Sequence, residues 1–362
     1  MIKLMVFPYH PDADILLRYK DYLQGYQLIG FSSFREDVEL VNEMNTHLPA
    51  SNLTYKKILE RSDAVLILDD YRGFKHERYY QVINDALMHK KEVIVTPLAS
   101  KQLDLSSCEC KYRMLEHLPA ETKDLNSEYQ LRMQTNLYEI EQPIIGVLGA
   151  GKHCGKFETQ LLVNGVLGEG YRMAVVASNP LGALFGCYTL PAFMHENCSF
   201  YEKVIKFNCY IRSIATKESP DIITIGIPEG ITAFERSEHN HFAEYPLVVG
   251  TAVQVDTAVF CTYFLQEYTP ELLAERLMSF AKYCEAKFDI PVDLYSISKT
   301  VVEVPDEDYA KIVYEFVDAK LAPKISIDSK MVSCIIGSNV ACDASTVIRQ
   351  AVSRLQNNAA LA

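Results

Sequence analysis

The stretch that decides how this chain is read is "IIGVLGAGKHCGKFETQ", residues 144–160. Its first five residues form an apolar run of strand length. A glycine-bearing turn and the pair Gly155-Lys156 follow, and then a segment of helical character. Strand, glycine turn, Gly-Lys and helix are the outline of a phosphate-binding loop. Such a loop works because successive backbone N–H groups turn inward around phosphate oxygens at the positive end of the next helix. Glycine is needed where the backbone approaches the ligand closely or takes positive φ, and the lysine reaches the outer phosphates. The match is partial. Aligned on Gly155-Lys156, the first glycine of the pattern falls on Ala150. Gly151, Lys152, His153 and Cys154 fill the variable positions, and Phe157 stands where a Ser or Thr hydroxyl would hold Mg²⁺. Thr159 lies two positions further on, rotated about 200° around the helix, so it does not substitute.

The residues expected to bind a phosphate ligand are therefore Gly149, Gly151, Lys152, Gly155 and Lys156. A nucleotide hydrolase also needs a carboxylate at the end of a neighbouring strand to organise Mg²⁺ and its waters. The run "DIITIGIPEG", 221–230, ends without the usual Asp, and its nearest carboxylate is Glu229, which joins the candidate set. With two metal-supporting positions missing, binding of ATP or GTP is the expectation, and Mg²⁺-dependent hydrolysis is not.

Outward from the loop, apolar runs alternate with helical patterns on both sides. Residues 2–7, 26–31, 64–68 and 92–96 read as strands, with helical patterns at 15–23, 55–60 and 77–89. After the loop, 173–177, 221–228, 256–262, the run "PVDLYSIS" and the run "KMVSCIIGS" read as further strands. Helical patterns fall at 158–167 and 201–215, in a segment opened by Pro270, and after Asp343. Strands alternating with helices predict βαβ units and parallel sheets. The fold class expected is α/β. It has a Rossmann-like or flavodoxin-like domain at 1–97, a partly helical connector at 98–142, and a P-loop-NTPase-like domain at 143–362. No Gly-x-Gly-x-x-Gly follows the first strand, so the dinucleotide fingerprint is absent. Ligands of open parallel sheets sit at the carboxyl ends of strands, which in the first domain points to 8–12 and 69–73. Solvated turns explain the same residues.

The bulk composition agrees with a folded protein of two domains: 362 residues, 49% hydrophobic and 23% charged. A formal charge of −12 argues against broad contact with nucleic acid or an anionic membrane, while leaving room for a local cationic pocket. The N-terminus lacks a signal peptide's apolar core, and no window approaches the ~18 apolar residues of a membrane span, which predicts a cytoplasmic protein. Ten scattered cysteines, with only Cys108 and Cys110 close together, read as reduced thiols rather than a metal cluster. Cys209, Cys261 and Cys334 lie in apolar runs and behave as core residues. Cys154, flanked by Lys152, His153 and Lys156, is the one cysteine placed to be reactive. His239 and His241, with Glu238 and Glu244 nearby, form a candidate metal pair without a third ligand, and a substrate-facing loop is the alternative. Twenty-two tyrosines and no tryptophan suit a surface that binds peptide or protein.

The runs "GKFETQLLV", "GCYTLPAFM", "PDIITIGIPEGITAF" and "HFAEYPLVVGTAVQVDTAVFCTYFLQEY" closely resemble a family of peptide maturation system proteins from anaerobic bacteria. Members of that family are encoded beside a radical SAM maturase in cassettes for cysteine-rich ribosomal peptides. The resemblance covers roughly 145–300. Family members read Gly-Ile-Pro-Gly-Gly-Ile where this chain has Gly226-Ile227-Pro228-Glu229-Gly230-Ile231, and their loop keeps the Lys-Phe and Gln of Lys156, Phe157 and Gln160. A more distant likeness is to two-domain proteins with a Rossmann-like first half and a P-loop second half. The resemblance implies an accessory protein of peptide natural-product maturation, with the precursor peptide or the maturase as partner. Three readings stay open: a nucleotide-binding accessory protein, monomeric or oligomeric; a non-catalytic scaffold; and an enzyme using Cys154 or the first domain's strand ends.

Overall fold

The computed structural model describes residues 1–34, 38–49, 51, 53–69, 76–105, 111–119, 136–233, 239–264, 269–303, 312–316, 333–336, 348–349 and 352. It divides into two compact units. The first comprises Met1–His117 with Pro180–Cys187, and the second Leu118–Asn179 with Tyr188–Ala362.

The first unit is a five-stranded parallel sheet. Its strands are β1 (Ile2–Phe7), β2 (Tyr26–Phe31), β3 (Ala64–Ile67), β4 (Glu92–Val95) and β5 (Arg113–Met114), in the order β2-β1-β3-β4-β5. That is the flavodoxin-like order, with its switch point between β1 and β3. Helices α1 (Asp14–Arg18), α2 (Val38–Asn45), α3 (Tyr55–Arg61), α4 (His76–Met88) and α5 (Pro97–Gln102) complete it. Strand β5, and helix α5 apart from Pro97, fall within the segment 98–142 expected to be a connector. The residues Asp70–Gly73 singled out at a strand end lie outside the described residues, as do Cys108 and Cys110. Near the neighbouring end of β4, Thr96 Oγ1 donates to Asp69 Oδ1 at 2.8 Å.

The second unit holds a seven-stranded parallel sheet in the order β14-β11-β10-β6-β9-β7-β8. The strands are β6 (Ile144–Gly149), β7 (Met173–Ala177), β8 (Tyr188–Thr189), β9 (Ile222–Gly226), β10 (Thr257–Thr262), β11 (Val292–Ile297) and β14 (Ser333–Ile336). A hairpin of β12 (Thr300–Glu303) and β13 (Val313–Phe316) stands beside it. Strands β6, β9 and β10 are buried along their whole length, because helices cover both faces of a parallel sheet, and this is why they read as unbroken apolar runs. The helices are α6 (Lys156–Leu167), α7 (Phe200–Glu218), α8 (Glu244–Ala252) and α9 (Pro270–Phe288). Helix α9 starts as its sequence demands: Thr269 accepts a side-chain cap bond from the Leu272 N–H, and Pro270 takes the first turn, where no N–H is missed.

Helix α8 was not foreseen. Its Pro246 sits in the first turn, and its valines pack into the core rather than a strand. The cap proposed at Asp343 and most of the helix after it lie outside the described residues. Among the described residues, no helix is long and apolar enough to cross a membrane.

In the second sheet the chain runs from β6 to β7, β8 and β9 on one side, then to β10, β11 and β14 on the other. The switch point is therefore the gap between β6 and β10, and a crevice outside the carboxyl ends of these strands is where a ligand is expected. The glycine turn after β6 occupies that place.

Candidate functional site

The turn 150–155 is built tightly from all sides. A Cβ at Gly149 would stand 2.5 Å from Cys154 Sγ and 2.6 Å from the Cys261 carbonyl oxygen of β10, so glycine is the residue that lets the strands close there. A Cβ at Gly151 would run into the Tyr263 hydroxyl. Gly155 takes φ +79° and caps α6, a left-handed conformation that glycine adopts without strain. His153 is also left-handed, at φ +55°.

Side-chain donors hold the carbonyls of the turn. Tyr263 donates to the Lys152 oxygen at 2.5 Å, Thr300 Oγ1 to the His153 oxygen at 2.7 Å, and Cys154 Sγ to the Gly151 oxygen at 3.1 Å. Tyr314 packs its ring 4.6 Å from the His153 ring. In a trans peptide the N–H points opposite to the C=O. Carbonyls fixed toward Tyr263 and Thr300 therefore fix the N–H groups of His153 and Cys154 toward the other side, as an anion cradle requires.

Lys156 is the first residue of α6 and is only 7% exposed. Its Nζ donates to the Gly151 oxygen and, at 2.7 Å, to the Glu229 main-chain oxygen, and it lies 3.6 Å from Cys154 Sγ. Among the described residues no carboxylate lies within ion-pair distance of it. Glu229 thus meets the loop lysine through its backbone. Its carboxylate lies 3.9 Å from Lys152 Nζ and 3.7 Å from His241 Nδ1, and Oε2 is buried with no hydrogen-bond partner among the described residues.

Glu229 also stands at φ +56°, the position where the family resemblance implies glycine. A left-handed L-residue costs roughly 1–2 kcal/mol, and glycine's larger unfolded-state entropy offsets about half of that. Glu229→Gly is accordingly expected to raise stability by about 0.5–1 kcal/mol. It should also strengthen anion binding, because a negative charge leaves the neighbourhood of Lys152. Thermal unfolding and a titration with tripolyphosphate measure both. Weaker anion binding would mean instead that the carboxylate positions Lys152 or His241 for the ligand.

The turn after β9 is pressed onto the loop. A Cβ at Gly230 would run into the Ala150 oxygen and come within 2.5 Å of Asn240 Nδ2 and 2.8 Å of Gly151 Cα. Asn240 is buried and donates to the Thr232 oxygen at 2.8 Å, tying the segments together, while its Oδ1 has no partner among the described residues. Gln160, also buried, bonds both the Val176 oxygen and the Ser178 N–H at 2.9 Å, anchoring α6 to the end of β7.

The place of a Mg²⁺ hydroxyl is taken by buried Phe157. The Thr159 hydroxyl is engaged elsewhere, donating to the Gly155 oxygen and lying 2.9 Å from Ser296 Oγ. The residues after the lysine therefore do not fit the usual metal contact.

His239 and His241 stack on one another, with ring centroids 5.8 Å apart, instead of converging on a point. Among the described residues no group of three His, Cys, Asp or Glu is placed to hold a metal ion, and Glu238 lies outside them. Cys154 is completely buried inside the loop, so its thiol does not present itself to a substrate. Cys209 and Cys261 are buried free thiols, and burial, followed by the nearby Cys154, pushes the Cys261 thiol up. The side chain of Cys334 lies outside the described residues.

Tyr263, Thr300 and Tyr314 were not singled out from the sequence, whereas Asn240 lies in the Asn240-His241-Phe242 segment that the resemblance marks as a substrate-facing loop. Applying the carboxyl-end rule to β10 and β11, and not only to β6 and β9, would have found Tyr263 and the 298–300 turn.

No protein-family model and no curated protein matches this chain. Among solved structures, it is similar to a DUF1611 family protein from Anabaena variabilis at 12% identity and a TM-score of 0.52, over 82% of this chain and 88% of that one. Weaker likenesses are a nucleotide-binding protein in complex with ADP from Archaeoglobus fulgidus (14% identity, TM-score 0.30, 63% and 91% covered) and a pseudomurein peptide ligase type C from Methanothermus fervidus (11%, 0.27, 84% and 50%). The first likeness shows a shared α/β fold and nothing more. The other two are too loose to carry an argument.

Proposed function

We propose that this chain binds a phosphate-bearing ligand, a nucleotide such as ATP or GTP, in the 149–156 loop, and that Mg²⁺ is not needed for this. The observation that carries the reading is Lys156. An ammonium group is buried, without a carboxylate partner among the described residues, at the end of a helix where the peptide dipoles are already positive. Each of these conditions disfavours a cation, and an anion in the cradle relieves all of them at once. The residue after the lysine supports metal independence, since a phenyl ring offers no oxygen to a cation.

The sequence resemblance supports a finer reading, in which the protein serves ribosomal peptide maturation and the bound nucleotide controls its association with the precursor peptide or the maturase. Calorimetric titration with ATP and GTP, with and without Mg²⁺, tests the first part. Binding of similar strength in both conditions is expected. No binding at millimolar ligand by folded protein would overturn the reading.

A further inference from the structure

The segment that buttresses the phosphate loop carries a second feature. Asn240, His241, Phe242 and Ala243 are all left-handed, with φ between 44° and 64°, so the chain winds opposite to an ordinary helix there. The Phe242 N–H closes the turn onto the His239 oxygen at 2.7 Å. This winding brings side chains into register that a right-handed turn would splay apart. Phe242 lies against His239 at 5.0 Å with an interplanar angle of 8°. His239 lies against His241 at 5.8 Å and 24°, and His241 against Tyr245 at 5.3 Å and 27°.

Four rings thus form a row of near-parallel planes. One end is buried: Tyr245 is in the core, its hydroxyl 2.8 Å from His195 Nδ1, and burial together with Glu229 and Glu244 pushes its phenol up. The other end is open, with Phe242 75% exposed. The row stands at the rim of the loop. Asn240 Nδ2 lies 3.7 Å from where a Gly151 Cβ would be, and His241 Nδ1 lies 3.7 Å from the Glu229 carboxylate.

We propose that the open face of Phe242 is a stacking platform for the base of the nucleotide whose phosphates lie on the loop. This rests on the phosphate reading above and gives the base of that nucleotide a place on the chain. An exposed flat ring, backed by parallel rings and carried by the segment whose Asn240 and His241 border the anion cradle, offers a π-face to whatever the phosphates bring with them. Stacking of one base on an aromatic side chain changes affinity by roughly ten-fold or more, and it is tolerant of base identity because every base has a π-face.

Tripolyphosphate and ATP, compared without Mg²⁺, separate the two ideas, since only ATP carries a base. The chain has no tryptophan, so Phe242→Trp places its single tryptophan at the platform, where it can be excited apart from the tyrosines. ATP is expected to quench that tryptophan, while tripolyphosphate competes with ATP yet leaves the emission unchanged. In Phe242→Ala, ATP affinity is expected to fall about ten-fold and tripolyphosphate affinity to stay as in wild type. If Phe242→Ala weakens both ligands equally, or neither, the stacking proposal is overturned while the phosphate site stands. If wild-type protein binds neither ligand, the phosphate reading fails and this inference falls with it.

Discussion

Lys156→Met is expected to weaken ATP and tripolyphosphate binding roughly 10- to 100-fold while leaving the ligand-free protein as stable as before. The side chain makes hydrogen bonds to two main-chain oxygens, and with an anion in the loop it would supply a charge-assisted bond to phosphate. Loss of such a bond weakens binding roughly 10- to 100-fold. The effect on folding has the opposite tendency. Methionine has a similar length, fills the same buried channel, and places no charge at the positive end of α6. The desolvation and dipole penalties that disappear offset the hydrogen bonds that are lost. The two cancel to within about 1 kcal/mol, as when other buried charges are replaced by apolar residues.

The Gly151 oxygen keeps Cys154 as a donor in the variant, so the turn is not left bare. Calorimetric titration gives the first half of the expectation and differential scanning calorimetry without ligand the second. A steep fall in thermal midpoint with binding intact would show Lys156 to be a structural group, and the case for an anion site would collapse.

Much of the site was legible because its signal is local. An apolar run, a Gly-Lys pair and a helical segment lie within seventeen consecutive residues, and each obeys a short-range rule. The loss of the metal hydroxyl was legible for the same reason, since Phe157 is fixed by its distance from Lys156. What holds the loop was not legible. Tyr263 and Thr300 reach it from residues more than a hundred positions away, and only the pairing of β10 with β6 and β11 brings them there. Nor could sequence show Glu229 in a left-handed conformation, because a glutamate gives no local sign of it.

The alternation of the first hundred residues announced a parallel sheet, but not that 180–187 would associate with it. There the Gln24 N–H donates to the Leu184 oxygen, and Gln24 packs where a Cβ at Gly186 would go, contacts that no periodicity encodes. Helix α8 was missed because a short helix buried over most of its surface shows no polar face, and so no helical period, in its sequence.

The second large effect is expected at Gly230, and it is best seen against Gly165. The same methyl group is added in both cases. At Gly165, in the exposed part of α6, a Cβ meets nothing within 4 Å and the backbone is already helical. Gly165→Ala should therefore stabilise the protein by about 0.5–1 kcal/mol through the entropy glycine would otherwise lose on folding. At Gly230 the new Cβ runs into the Ala150 oxygen and crowds Gly151 Cα, and both of these are backbone that no rotamer change can clear. The turn after β9 and the 150–155 turn must separate.

That displacement costs about 1–3 kcal/mol of stability. It also pulls the Glu229 oxygen away from Lys156 and shifts the amides of the cradle, so binding of ATP and of tripolyphosphate should be lost together. Circular dichroism and thermal unfolding establish that the variant is folded, and titration measures the rest. If Gly230→Ala binds as wild type does, the 229–231 turn is not part of the cradle, and the anion is held by β6, its loop and α6 alone.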